Sequence, residues 1–150
     1  SASIEGINDV VDQQFKLSHR INKYNLIPII EPEVTISISD KENAEVILKQ
    51  SILEKLEKMP KSNKVILKLS LPEIPNFYQP LINHESVLRV VALSGGYDQT
   101  NAIKKLECNN GMIASFSRAL TEGLSINQND EEFNLIINKS INNIAKASKT

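Results

Sequence analysis

Four short apolar runs, each followed by a longer stretch with helical spacing, constrain this chain more than any other feature. The runs cover residues 26–30, 64–69, 86–97, which ends in Ser-Gly-Gly-Tyr, and 111–120, the last running into a helix start. The apolar part of each is too short for a buried helix and is rich in Val, Ile and Leu, which suits strands. An amphipathic helix over residues 7–22 precedes them, with Ile7, Val10, Val11, Phe15, Leu17 or Ser18, and Ile21 near helical spacing. A helix capped by Ser39 or Asp40 follows the first strand, with a stripe of Ala44, Ile47, Leu48, Ile52, Leu53 and Leu56, and ends at Met59-Pro60. After the second strand comes a proline-punctuated loop over 71–80 with a short helical turn to Ile82. A helix is expected over about 98–106, the fourth strand is expected to run through Ser115 into a helix start near Leu120, and a last helix begins at Asp130. That last helix carries a stripe of Phe133, Ile136, Ile137, Ile141, Ile144 and Ala145, and the tail after it reads as polar and frayed. One helix and then four strand–helix units predict an α/β protein with a parallel sheet.

The second strand carries the residue most in need of explanation. Val65, Ile66 and Leu67 fit a parallel strand buried on both faces, yet Lys68 follows directly. Lysine is almost never fully buried without a partner. Lys68 either extends its ammonium out of the strand end along its aliphatic stem, or is a desolvated amine of the kind that attacks a ketone and forms a Schiff base. Lys64 is a rival, but it stands at the opposite end of the strand.

The other chemistry-bearing residues also fall at strand carboxyl ends. Glu31 and Glu33 flank Pro32 after the first strand and read either as a solvated loop or as carboxylates able to move a proton. Ser94-Gly95-Gly96 closes the third strand near a helix N-terminus. It is either an ordinary tight turn or a place where backbone N–H groups face an anion. Ser115, Ser117 and Arg118 offer hydroxyls and a guanidinium suited to phosphate, or serve as turn serines beside a surface arginine. In an eight-stranded (β/α)8 barrel this edge is the active face, with phosphate often held after strands 7 and 8. Four units make half of such a barrel.

Several function classes are excluded by composition. A net charge of −1 gives no field to gather nucleic acid or an anionic membrane. Cys108 is the only cysteine, so no internal disulfide or cysteine zinc site is expected. His19 and His84 read as a surface and a loop histidine without a second metal ligand at suitable spacing. No apolar run approaches a membrane span and no secretory signal is legible, so a cytoplasmic protein is expected. The chain begins at a serine rather than a methionine, and is expected to be trimmed or cut from something longer.

Four segments taken together resemble class I fructose-bisphosphate aldolase of the bacterial, single-barrel branch. They are Leu26-Ile27-Pro28-Ile29-Ile30-Glu31-Pro32-Glu33-Val34, Val65-Ile66-Leu67-Lys68-Leu69, Leu93-Ser94-Gly95-Gly96-Tyr97 and Ala114-Ser115-Phe116-Ser117-Arg118-Ala119-Leu120. The resemblance implies a TIM barrel of which residues 1–150 form the carboxyl half, strands 5 to 8 of a single domain. It implies that Lys68 forms a Schiff base with the C2 ketone of fructose 1,6-bisphosphate or dihydroxyacetone phosphate, and that Glu31 carries protons. Ser94, Gly95, Gly96, Ser115, Ser117 and Arg118 would hold a substrate phosphate, with no metal or other cofactor. Animal relatives carry glycine where Ser117 stands and end in a functional tyrosine, which this chain lacks at Thr150. Nothing here matches the family's first four strands, which carry a catalytic aspartate and further lysines. The expected partners are therefore a phosphorylated sugar and a missing amino-terminal half or another chain, and an isolated copy is expected to be unstable or to pair. The alternatives are a non-catalytic phosphosugar-binding or scaffolding half-barrel, and a Schiff-base barrel enzyme for another sugar.

Overall fold

The computed structural model describes residues 2–149. Its elements run in chain order as α1 (Ile4–Asn22), β1 (Ile29–Ile30), α2 (Lys41–Glu57), β2 (Val65–Ser70), α3 (Gln79–Ile82), β3 (Val87–Leu93), α4 (Gln99–Glu107), β4 (Met112–Ala114) and α5 (Asp130–Ala147). The strands form one sheet in the order β1-β2-β3-β4, every pair parallel. The expected α/β architecture and strand sequence are therefore present, with all strand carboxyl ends at one edge.

Register explains how the sheet is buried. Ile30, Leu67, Val90 and Met112 lie side by side across four strands and are all buried. Helices cover this face through Val11 of α1, Ala44, Leu48, Ile52 and Leu56 of α2, Ala102 and Leu106 of α4, and Ile144 of α5. Burying each large aliphatic side chain there contributes about 1.5–3 kcal/mol. The neighbouring rows, Ile29, Ile66 and Arg89, and Lys68, Val91 and Ile113, point to the other face. Among the described residues that face is only partly covered: Ile29 and Arg89 are exposed, and Ile66, Lys68, Val91 and Ile113 are half-buried. The expectation of a strand buried on both faces is thus corrected. β2 alternates, with Val65, Leu67 and Leu69 inside and Ile66 and Lys68 outside.

Other boundaries differ for local reasons. β1 pairs over two residues rather than five, because Pro28 has no N–H to give and contributes only its carbonyl, which accepts from Ile66 N at 3.0 Å. No helix begins near Leu120; residues 117–123 form successive turns in which Leu120 N and Thr121 N both bond to the Ser117 carbonyl. Asp40 sits at the start of α2 but does not cap it with its side chain, which accepts instead from Ala2 N at 2.6 Å. The buried line of α5 is Ser140, Ile144 and Ala147, rotated from the expected stripe, and Phe133, Ile141 and Ala145 are exposed. Its start is fixed by a reciprocal pair in which Glu132 N donates to Asn129 Oδ1 and Asn129 N donates to Glu132 Oε2. The tail is docked rather than frayed: Ser148 Oγ accepts from Ala114 N at 3.1 Å and donates to the Ile144 carbonyl at 2.9 Å. Thr150, the last residue of that expectation, lies outside the described residues.

Tyr78 is wholly buried, and its hydroxyl has no hydrogen-bond partner among the described residues. Burial, reinforced by the charge of Glu45, pushes the phenol above its ordinary range. A buried unsatisfied hydroxyl is a cost that phenylalanine removes without changing the ring's packing. Tyr78→Phe is expected to raise unfolding stability by about 1 kcal/mol in urea titration; a loss of stability would show that the hydroxyl has a partner.

Candidate active site

The carboxyl edge of the sheet brings Lys68 and Glu31 together. Lys68 Nζ lies 2.6 Å from Glu31 Oε1, with 26% and 43% of the two side chains exposed. The contact follows from topology. Glu31 is the residue after β1, β1 and β2 are parallel neighbours, and Ile30 is level with Leu67, so Glu31 falls beside Lys68. Glu31 is also held from behind, since its backbone N–H donates to Gln14 Oε1 of α1 at 2.7 Å. Buried Ser70 fastens the rest of the loop: its Oγ accepts from Val34 N at 3.0 Å and donates to the Val34 carbonyl at 2.8 Å. Lys68 is thus neither fully buried nor a free surface amine. Lys64 is elsewhere, at the opposite end of β2, donating to the Glu85 carbonyl at 2.8 Å.

One strand further, residues 94–97 make a tight turn in which Tyr97 N donates to the Ser94 carbonyl at 2.9 Å. Gly95 and Gly96 occupy its central positions with φ of +60° and +108°. Such angles favour glycine at both places. Space does so at Gly95, where a Cβ would lie 2.9 Å from Ile36 Cγ2 and 3.2 Å from Leu93 Cδ1. The adjacent helix N-terminus is already occupied. Asp98 Oδ1 accepts from Asn101 N at 2.8 Å, and Gln99 N donates to Glu122 Oε2 at 2.6 Å. The N–H groups of Gln99 and Asn101 at the start of α4 are therefore already engaged within the chain.

Ser115 follows β4 and is tied to β3 by its N–H, which donates to the Ala92 carbonyl at 2.8 Å. Ser117 and Arg118 are exposed in the turns that replace the expected helix. The Arg118 guanidinium forms no ion pair among the described residues. These three residues share the carboxyl edge with Ser94, Gly95 and Gly96, but no side-chain hydrogen bond joins the two groups among the described residues.

A second cluster at this edge was not anticipated from the sequence. Lys41 and Glu45, one helical turn apart at the start of α2, are almost wholly buried and ion-paired to each other. The Lys41 ammonium also donates to the Leu71 carbonyl at 2.8 Å and reaches Glu73 Oε1 at 3.0 Å, so its three protons have three acceptors. Glu73 N donates to Glu45 Oε2 at 3.1 Å, Lys105 reaches Glu73 Oε2 at 3.1 Å, and the Tyr97 hydroxyl donates to Glu73 Oε1 at 3.0 Å. The available signal was the pairing of Lys41 with Glu45 at four-residue spacing in line with Ala44, Leu48 and Ile52 on the apolar side of α2. Partial burial pushes Glu73 up, but the bonds from Lys41 and Lys105 outweigh it and hold the carboxyl at about 2 against an ordinary 4.5. Burial and the bond it gives to Glu73 push Tyr97 up to about 12.

No group of His, Cys, Asp and Glu among the described residues could hold a metal ion, and none of the described helices is long and apolar enough to cross a membrane.

The site is thus an amine–carboxylate pair and a glycine turn on the carboxyl edge of a parallel α/β sheet. By sequence the chain is a homologue of the carboxyl half of the class 1 fructose-bisphosphate aldolases. Proteins of that name from Synechocystis sp., Clostridium acetobutylicum and Porphyromonas gingivalis are 54%, 53% and 48% identical to it. The alignments take in 99%, 99% and 98% of this chain and 50% of each relative. The chain therefore spans about half the length of the curated relatives it matches, and the matched half is the carboxyl-terminal one. No protein-family profile matches the chain.

Because folding lowers the Glu73 pKa, its contribution to stability is complete above about 4.5 and fades as pH falls toward 2. Glu73→Gln is expected to unfold at lower urea concentration than the parent near about pH 7, with the difference closing across that acid window. A difference that stays constant with pH would show that the charge of Glu73 is not what matters.

Proposed function

We propose that this chain supplies the carboxyl half of a class 1, Schiff-base fructose-bisphosphate aldolase, strands 5 to 8 of a single (β/α)8 barrel domain. The observation that carries the reading is the 2.6 Å contact between Lys68 and Glu31 on neighbouring strand ends, in a chain about half identical to enzymes of that name. The partly covered sheet face bearing Ile66, Val91 and Ile113, with the edges at β1 and β4, is where an amino-terminal half would close the barrel.

In this reading Glu31 takes a proton from the Lys68 ammonium, freeing the amine to attack the C2 ketone of fructose 1,6-bisphosphate. The proton then returns to the carbinolamine hydroxyl, which leaves as water and gives an iminium. The iminium accepts the electron pair released when the C3–C4 bond breaks. Glu31, a carboxylate again, takes the C4 hydroxyl proton as glyceraldehyde 3-phosphate departs. The enamine left on Lys68 takes that proton back at C3, and hydrolysis of the resulting iminium returns dihydroxyacetone phosphate and Lys68. The same steps reversed make the sugar, placing the activity in glycolysis and gluconeogenesis in the cytoplasm. Ser94, Gly95 and Gly96, completed by Ser115, Ser117 and Arg118, hold a substrate phosphate through hydroxyl, backbone N–H and guanidinium. The chemistry uses no metal. Cleavage belongs to the completed barrel, because this chain spans about half the length of the relatives it matches.

The test is reconstitution with the amino-terminal half of the Synechocystis relative. The mixture is expected to cleave fructose 1,6-bisphosphate. Lys68→Ala should lower the rate by at least about a thousandfold, while Lys64→Ala, at the far end of the strand, should leave it within about twofold. Cleavage that survives Lys68→Ala would overturn the assignment of the nucleophile. A well-formed complex that binds sugar phosphate without cleaving it would replace the enzyme reading with that of a phosphosugar-binding module.

A further inference from the structure

The Ser94–Tyr97 turn is a weak structure on its own. It has one internal backbone hydrogen bond and two adjacent glycines, the residues that lose most freedom on being ordered. Yet the residue that ends it, Tyr97, is fastened to the buried charge cluster. Its hydroxyl donates to Glu73 at 3.0 Å, and Lys105 lies 5.2 Å from its ring centroid while also reaching Glu73. Glu73 is in turn held by Lys41, whose ammonium is saturated, and by its own N–H on Glu45. Lys41 and Glu45 belong to α2, which begins where the loop bearing Glu31 ends. The cluster therefore ties together the connections that follow β1, β2 and β3.

We propose that Glu73 is a positioning residue for the glycine turn: anchored by Lys41, it grips Tyr97 and so holds Ser94, Gly95 and Gly96 in the one conformation that receives a phosphate group. The inference rests on the reading that this turn binds a substrate phosphate. Buried ion pairs add little to stability over a well-packed apolar replacement of the same volume. Their rigid, fully bonded geometry suits them to fixing a loop. Glu73 can do this because both its oxygens are engaged, one by Lys41 and Tyr97 and the other by Lys105.

The experiment uses two single variants of the full chain. Tyr97→Phe keeps the ring and every ion pair and removes only the grip. Glu73→Gln keeps an acceptor for Tyr97 but breaks the ties to Lys41 and Lys105. Hydrogen exchange at the Tyr97 amide, which is bonded to Ser94, reads the order of the turn, and exchange at the Val90 amide reads the core of β3. In a parallel titration with dihydroxyacetone phosphate, the Gly95 and Gly96 amide shifts read binding. In Tyr97→Phe the Tyr97 amide is expected to exchange about tenfold faster while Val90 is unchanged. In Glu73→Gln, which also lowers global stability, Tyr97 exchange is expected to rise about tenfold more than Val90 exchange. The dissociation constant should rise by about three- to tenfold with the melting temperature of Tyr97→Phe unmoved. A merely structural role would move the melting temperature and Val90 together. If neither variant changes Tyr97 exchange by more than about twofold, the positioning role is wrong. If the parent chain shows no shift at Gly95 or Gly96 with dihydroxyacetone phosphate, the phosphate reading of the turn fails instead, and the exchange result still decides whether Glu73 holds it.

Discussion

The structure depends on the parallel pairing of β2 with β3. Six residues of β2, Val65 to Ser70, are in register with β3, and this is the longest ladder in the sheet. The pairing slips once, between Val65 and Ile66, so that Leu88 is passed over and stands exposed. Beyond the slip, Leu67 and Leu69 meet Val90 and Ala92 on the helix-covered face, while Lys68 and Val91 share the other. β1 and β4 are short and add on either side. Because all four strands run the same way, one edge of the sheet collects every strand end. Glu31, Lys68, Ser94 and Ser115 all lie toward that edge although they are far apart in the chain, and Glu31 and Lys68 touch.

Two arrangements of charge meet at that edge and have different physical characters. Lys68 and Glu31 form a partly exposed pair open to solvent. Lys41 and Glu45 are almost wholly buried and bonded to capacity, which fixes their geometry. Glu73 and Lys105 connect that fixed cluster to the turn after β3. Parallel α/β sheets place flexible connections where the chemistry is, so rigidity has to come from bonds made between those connections. Ser70 does this for the loop after β1 with a two-way bond to Val34, and Glu73 does it for the turn after β3.

Much of the fold was legible because alternation of short apolar runs with helical stripes leaves few other solutions. Placing Lys68 beside Glu31 needed only the expectation that successive strands are neighbours. What failed was local. Pro28 shortened β1 because a ladder needs donors. The serines at 115 and 117 and the turn after them looked like a helix start because serine favours both. Burial on both faces was read from hydrophobicity, which does not say which side of a strand is covered. The cluster around Glu73 was invisible because lysine and glutamate one helical turn apart are normally a solvated pair. Only the fold shows that this pair sits beneath the Leu71–Glu73 loop.

The most direct measurement is borohydride trapping with dihydroxyacetone phosphate, read by peptide-level mass. The chain, completed by the amino-terminal half of a relative, is incubated with the ketone, reduced and digested. A single covalent adduct on Lys68 is expected, weakened in Glu31→Gln because the proposed proton carrier is gone. An adduct on Lys64, Lys41 or Lys105 with Lys68 unmodified would contradict the central claim that the amine facing Glu31 is the nucleophile.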